Sequence, residues 1–294
     1  MRNFIIFFEE KEGTSPLVRL LNNFEQISII HQVNNKGWEP FDGHNCGPMS
    51  LRSLKRCLAI VFNKSLVDFR RLNQIYTRTA NNPLEEISGN GVVGFKMRFI
   101  PPRKISPYMA AFSRCNILSR IFEKYYARSF KRMMIHLLRR NDVVVFLAVR
   151  KDLLRWGLSK YHGDGTDKRG HLQFKLASGE IRRDEIGKFQ VDCAQLDKII
   201  LNCEESHAHK RRLMEEFKLA GIQTHLLCYE DFLTDKQKYF RQILGFLELE
   251  ISKEEIDTAL KKGEYFKKVH SEDISDFVEN HEEVKGKFGN RFVS

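Results

Sequence analysis

The residues best suited to chemistry in this chain are cations and hydroxyls set around a helix start. Lys11, Gly13, Thr14 and Ser15 follow the apolar run at residues 4–8 and precede Leu17, Leu20 and Leu21, which repeat at helical spacing. Free backbone N–H groups at a helix N-terminus attract phosphate or sulfate, and a lysine adds a full charge. A second basic pair, Arg150 and Lys151, closes the apolar run at 143–147. Of the two, arginine makes the better bidentate phosphate contact. Between these groups, the polar loop at 34–48 carries Trp38, Glu39, Phe41 and His44, which together could wall a substrate. His44 and His31 are rival candidates for a general base, a role that histidine commonly fills. The chemistry on offer is the binding of an anionic group, against the plainer reading of an ordinary βα turn.

Those side chains need a scaffold, and the sequence describes one. Unbroken apolar runs at 4–8 and 143–147 suit strands buried on both faces of a parallel sheet. Gly13 permits a tight turn, Thr14 or Ser15 can cap the helix, and Pro16 fits its first position. Ligands in open α/β sheets collect outside the carboxyl ends of strands, so Arg150 is aimed at the same crevice as the Lys11 loop. Further strands are expected at 27–31, 91–100 and 223–228. Helices are expected at 51–80, 106–140, 192–221 and 272–280, with another after the Tyr229-Glu230-Asp231-Phe232 segment. Residues 162–186, with four glycines and a hairpin signal, form a possible lid or hairpin insertion. No internal repeat or low-complexity linker appears. The expectation is one domain over 1–294, a three-layer α/β/α architecture with a central parallel sheet.

A nucleotide triphosphatase loop requires Gly-x-x-x-x-Gly-Lys followed by Ser or Thr. This loop has one glycine, with its lysine in front. It instead resembles the phosphosulfate-binding loop of sulfotransferases, in which a basic residue precedes a Ser-Gly-Ser/Thr-Thr/Ser sequence and a Leu-rich helix. Lys11, Gly13, Thr14 and Ser15 match it, and Glu12 stands where the family has a small hydroxyl residue. Glu39-Pro40-Phe41 is similar to the Glu-plus-aromatic segment of a bacterial carbohydrate and glycolipid branch, whose Glu is the catalytic base. Gly94-Phe95-Lys96 resembles its Gly-x-Lys strand, with Lys96 either facing the cleft or decorating a strand end. Arg150 with Ser159, nine residues on, resembles the pair that holds the cofactor 3'-phosphate, and Tyr229 and Glu230 resemble a bracing segment. The resemblance implies a P-loop-like sulfotransferase fold. It also implies an enzyme using 3'-phosphoadenosine 5'-phosphosulfate (PAPS), with adenosine 3',5'-bisphosphate (PAP) as product. Lys11 would be catalytic, with Glu39 or His44 as base and His31 as their rival. Lys11, Gly13, Thr14, Ser15, Arg150 and Ser159 would bind the cofactor. The acceptor would be a hydroxyl, of a glycan or glycolipid.

Composition bounds this reading. A net charge of +11 implies anionic partners without choosing among them. Lys and Arg residues along 114–140, interleaved with Tyr125, Tyr126 and Phe130, would suit nucleic acid or a solvated helix face. No nucleic-acid module is visible, and no nucleic-acid partner is expected. The six cysteines show no zinc spacing, and no metal is expected. They look like reduced thiols of a cytoplasmic protein. No signal-peptide pattern opens the chain, and no uncharged run approaches the roughly 20 residues that span a bilayer. The alternatives are a basic nucleic-acid-binding protein and an inactive nucleotide-binding relative, the latter motivated by Glu9, Glu10 and Glu12 around the loop.

Overall fold

The computed structural model describes residues 2–32, 39–41, 50–62, 68–77, 83–85, 91–99, 116–165, 182, 187–262 and 273–292. Its centre is a five-stranded, all-parallel sheet. β1 (Phe4–Phe7), β2 (Ile27–Ile29), β3 (Val92–Met97), β4 (Val144–Val149) and β5 (Thr224–Cys228) lie in the order β2-β3-β1-β4-β5. Every residue of β1, β3 and β4 is buried, which is why these strands read as apolar runs without polar alternation. The pleat sends Ile5, Phe7, Phe95, Val145 and Leu147 to one face and Phe4, Ile6, Val144 and Phe146 to the other. On the first face pack α2 (Leu51–Val61), α3 (Phe69–Tyr76) and α4 (Asn116–Arg140); on the second, α1 (Thr14–Leu21), α8 (Lys236–Phe246) and α9 (Lys253–Lys262). The result is the expected α/β/α sandwich. Gly94 is fixed by packing, because a Cβ there would lie 2.2 Å from the Phe4 ring.

α5 (Leu153–Gly165) and α6 (Cys193–Leu219) share a third apolar cluster with the C-terminal residues, built on Trp156, Leu196, Ile200, Val278 and Val284. The short α7 (Tyr229–Thr234) follows β5 directly.

Strand order also fixes where a ligand can sit. From β1 the chain leaves toward β3 and β2 on one side, and it later returns to β4 and β5 on the other. The crevice at such a reversal opens beyond the carboxyl ends of β1 and β4, where the Lys11 loop and Arg150 begin.

Two expectations need correction. The helical region at 51–80 is two helices, the second opened by Asp68, whose carboxylate accepts the Arg71 N–H at 2.9 Å. The helix at 272–280 is absent. A 3-10 turn at Ile274–Asp276 stands there, and α10 (His281–Phe288) begins only after Asn280. Pairing across the chain accounts for this. Phe189 bonds through its backbone to Phe277 and Glu279, and the Asn280 carboxamide exchanges two 3.0 Å bonds with Val191. A helix over 272–280 would have taken the Glu279 N–H for its own i→i−4 bond. The proposed lid at 162–186 falls almost wholly outside the described residues, although its first four residues extend α5.

Candidate functional site

The loop after β1 turns through two left-handed residues, Lys11 at φ 65° and Gly13 at φ 75°. Gly13 is itself the N-cap of α1, and no side chain caps it. Neither Thr14 nor Ser15 fills the capping role expected of them: Thr14 is buried, and Ser15 is engaged elsewhere. The first-turn N–H groups therefore keep their capacity for an external anion, with no acidic residue in that turn. The Lys11 side chain is exposed at the rim.

Two of the loop's carboxylates, Glu12 and Glu10, turn away from this anion position. Glu12 turns inward, 3% exposed, where both its oxygens lie 2.5 Å from the Lys210 ammonium and one accepts the Glu9 N–H at 2.6 Å. Burial pushes Glu12 up to about 7, against the pull of Lys210. Glu10 points outward to Arg98 at 2.5 Å, while its carbonyl accepts the Trp156 indole N–H at 2.8 Å.

Arg150 leaves the end of β4 and reaches the loop. One terminal nitrogen donates to the Lys11 carbonyl at 3.1 Å and to Ser159 Oγ at 3.2 Å. Its guanidinium carbon lies 5.0 Å from the Tyr229 ring centroid, and its Nε is buried with no hydrogen-bond partner. Burial lowers the guanidinium pKa, but an arginine stays charged. Lys151 is exposed, and its backbone N–H goes to Glu230, so the residue facing the loop is Arg150. Tyr229 packs on the other flank of the loop: a Cβ at Gly13 would sit 2.3 Å from two of its ring carbons. Glu230 accepts the N–H groups of Lys151 and Asp152 and the Cys228 thiol. Burial would raise Glu230, yet these donors hold it below the ordinary carboxylate range.

A second group meets at the end of β3. Lys96 is 1% exposed, 2.6 Å from Glu39 Oε1, and donates to Ser15 Oγ at 2.8 Å. Its ammonium also stands 4.6 Å from the Phe8 ring centroid. Burial lowers its pKa while Glu39 pulls the other way. Lys96 is thus buried against Glu39 and the start of α1 and does not decorate a strand end. The Glu39 segment is held by Phe41, fully buried against Phe95 and Tyr76, and by the Tyr76 hydroxyl, which donates to the Pro40 carbonyl at 2.6 Å. His31 is buried beyond β2, two strands from β1, with its Nδ1 3.1 Å from the Gln32 carbonyl. His44 lies outside the described residues.

Lys11, Gly13, Thr14, Ser15, Glu39, Arg150 and Ser159 therefore belong to one continuous cluster at the carboxyl edge of the sheet. Among the described residues, no three His, Cys, Asp or Glu side chains gather as a metal site. The described cysteines, Cys57, Cys193, Cys203 and Cys228, are free thiols. No described helix is long and apolar enough to cross a membrane.

No protein-family model and no curated protein matches this chain. Among solved structures, the chain is similar to a sulfotransferase from Alicyclobacillus acidocaldarius, at 15% identity and a TM-score of 0.43, over 98% of this chain and 92% of that one.

Lys210 escaped the sequence reading. Its helix reads as long and polar, but Leu196, Ile200, Cys203, His207, Lys210, Leu213 and Phe217 form one buried stripe at spacings of three and four. A charged residue in register with that stripe was the available signal.

Proposed function

We propose that this chain is a sulfotransferase that moves a sulfuryl group from PAPS to a hydroxyl acceptor, a saccharide or glycolipid, and releases PAP. The observation that carries the reading is Arg150, bonded at once to the Lys11 loop and to Ser159 beside the uncapped start of α1. This supports two anion positions sharing one crevice, as a nucleotide charged at both its 3' and 5' positions requires. Arg150 and Ser159 would hold the 3'-phosphate. Lys11 and the N–H groups of Gly13, Thr14 and Ser15 would hold the phosphosulfate.

Bound there, PAPS supplies a sulfuryl group already joined to a good leaving group. The chain's part is then positioning and electrostatics, as in phosphoryl transfer. Lys11 and the uncapped N–H groups would stabilise charge gathering on the bridging oxygen. Glu39 would accept the acceptor proton, with Lys96 fixing its Oε1, while His44 is the other candidate base. The whole chain, 1–294, would act as one domain with 162–186 as a lid. The test is transfer of labelled sulfate from PAPS to a panel of saccharide, glycolipid and small alcohol acceptors. Label in a saccharide or glycolipid supports the reading. Tight PAP binding without transfer to any acceptor would leave an inactive binding protein in its place.

A further inference from the structure

Glu12 is a carboxylate built into the loop that would receive a polyanion, and it does not face that position. It lies beneath the loop, between two left-handed residues, with its side chain folded back onto the Glu9 N–H. The partner that meets it comes from far along the chain. Lys210 projects from the buried stripe of α6, donates to the Ala148 carbonyl at 2.7 Å one residue before the end of β4, and grips both Glu12 oxygens. Trp156 closes the arrangement: its ring centroid is 5.8 Å from the Lys210 ammonium, and its indole N–H binds the Glu10 carbonyl.

We propose that Lys210 is a positioning residue for the anion-binding loop, acting through Glu12 to hold the loop backbone in its left-handed turns and to cancel the carboxylate charge beneath the bound nucleotide. The inference rests on the function proposed above. Three features of the arrangement argue for it. Glu12 is tied to its own loop and to α6, so it transmits the position of α6 to the N–H groups of Gly13, Thr14 and Ser15. The anchor at Ala148 belongs to the same strand that presents Arg150, so one ammonium sets the spacing between the two anion positions. The two members also differ: without Lys210 the loop loses its tie to α6 and to the Ala148 carbonyl, whereas without Glu12 the Lys210 ammonium keeps its Ala148 bond and leaves a positive charge beneath a polyanion.

That asymmetry gives a signature beyond a merely structural role. Calorimetric titration with PAP should show Lys210→Met binding at least tenfold more weakly than wild type, with Glu12→Gln within about threefold, and the double variant close to Glu12→Gln. Equal losses in the two single variants, or wild-type affinity in Lys210→Met, would overturn the proposal. Hydrogen exchange needs no ligand. The amides of Glu9 to Ser15 should exchange at least tenfold faster in Lys210→Met, while those of β1 and β4 stay protected. Unchanged loop exchange would overturn the proposal even if PAP binds. Faster loop exchange in a protein whose wild type ignores PAP would keep Lys210 as the loop brace and remove the sulfotransferase reading instead. If Lys210→Met fails to fold, Lys210→Arg carries the same test. It keeps the charge but not the compact three-way bond, so loop exchange should rise with PAP affinity retained within threefold; unchanged exchange there also counts against the proposal.

Discussion

Two regions of this molecule hold concentrated positive charge, and they treat it in opposite ways. Along α4, Lys124, Arg128, Arg132, Arg139 and Arg140 stand exposed, while Phe130, Met134, Leu137 and Leu138 face the core. At the carboxyl edge of the sheet, Lys96 and Lys210 are buried and Arg150 half-buried, each bonded to backbone, hydroxyl or carboxylate groups. The α4 charges lie in water and within reach of salt, so their fields fade over about 8 Å at physiological ionic strength. The edge charges are desolvated and fixed in place, so each acts on a specific neighbour. The net charge of +11 belongs to both regions and describes neither. Placement and partners separate a solvated helix face from a site.

That contrast can be broken at several points. Lys11→Ala should cost the most, lowering sulfate transfer by about 10²–10³-fold, the usual loss for one stabilising donor. Unchanged turnover would remove Lys11 from the chemistry. Arg150→Ala should act mainly on binding: loss of charge-assisted hydrogen bonds worth about 1.5–3 kcal/mol corresponds to a tenfold to hundredfold weaker Kd for PAP. Gly13→Ala should destabilise the fold by roughly 1–3 kcal/mol through its left-handed turn, with the Tyr229 ring adding to the strain. Thermal unfolding reads this effect, and a neutral result would mean the ring is free to move.

A smaller effect tracks pH. Because burial raises Glu12 from 4.5 to about 7, the folded state holds its proton more tightly than the unfolded chain. Its contribution to stability is therefore greatest below pH 4.5 and falls as pH rises toward 7. Denaturant titrations should show the stability of wild type relative to Glu12→Gln declining across that window, and a difference flat with pH would contradict the shift. The smallest effect is expected on α4. A double Arg128→Ser/Arg132→Ser variant should change PAP affinity by less than about twofold, since screened, exposed charges act weakly at a distance. Tight nucleic-acid binding lost in that variant, and falling steeply with salt, would move function to α4 and reverse the contrast.

Much of the scaffold was legible because it depends on local pattern. The runs ending at Phe8 and at Val149 could only be strands buried on both faces, and the Lys11-to-Leu21 stretch announced its loop and helix. Arg150 and Lys151 could be placed at that sheet edge from their strand end, but which of them meets the Lys11 loop came only from the contact of Arg150 with the Lys11 carbonyl. Contacts between distant segments were not legible. Glu12 reads as a charge conflict until Lys210, 198 residues away, is seen beneath it. Lys96 reads as a strand-end lysine until Phe41 and Tyr76 bring Glu39 against it. Residues 272–280 carry helical spacing, but the Phe277 carbonyl and Glu279 N–H are taken by Phe189 and the Asn280 side chain by Val191. Pairings across such separations are set by the assembled sheet and leave no periodicity behind.

The central claim is that the Lys11 loop and Arg150 grasp two ends of one nucleotide, and a comparison of two ligands tests it most directly. Wild-type protein and Arg150→Ala would each be titrated with adenosine 3',5'-bisphosphate and with adenosine 5'-monophosphate, which lacks the 3'-phosphate. The account predicts saturable one-to-one binding of the bisphosphate by wild type, at least tenfold tighter than the monophosphate, with the preference lost in Arg150→Ala. Failure of wild type to bind the bisphosphate, or an equal preference in the variant, would contradict it.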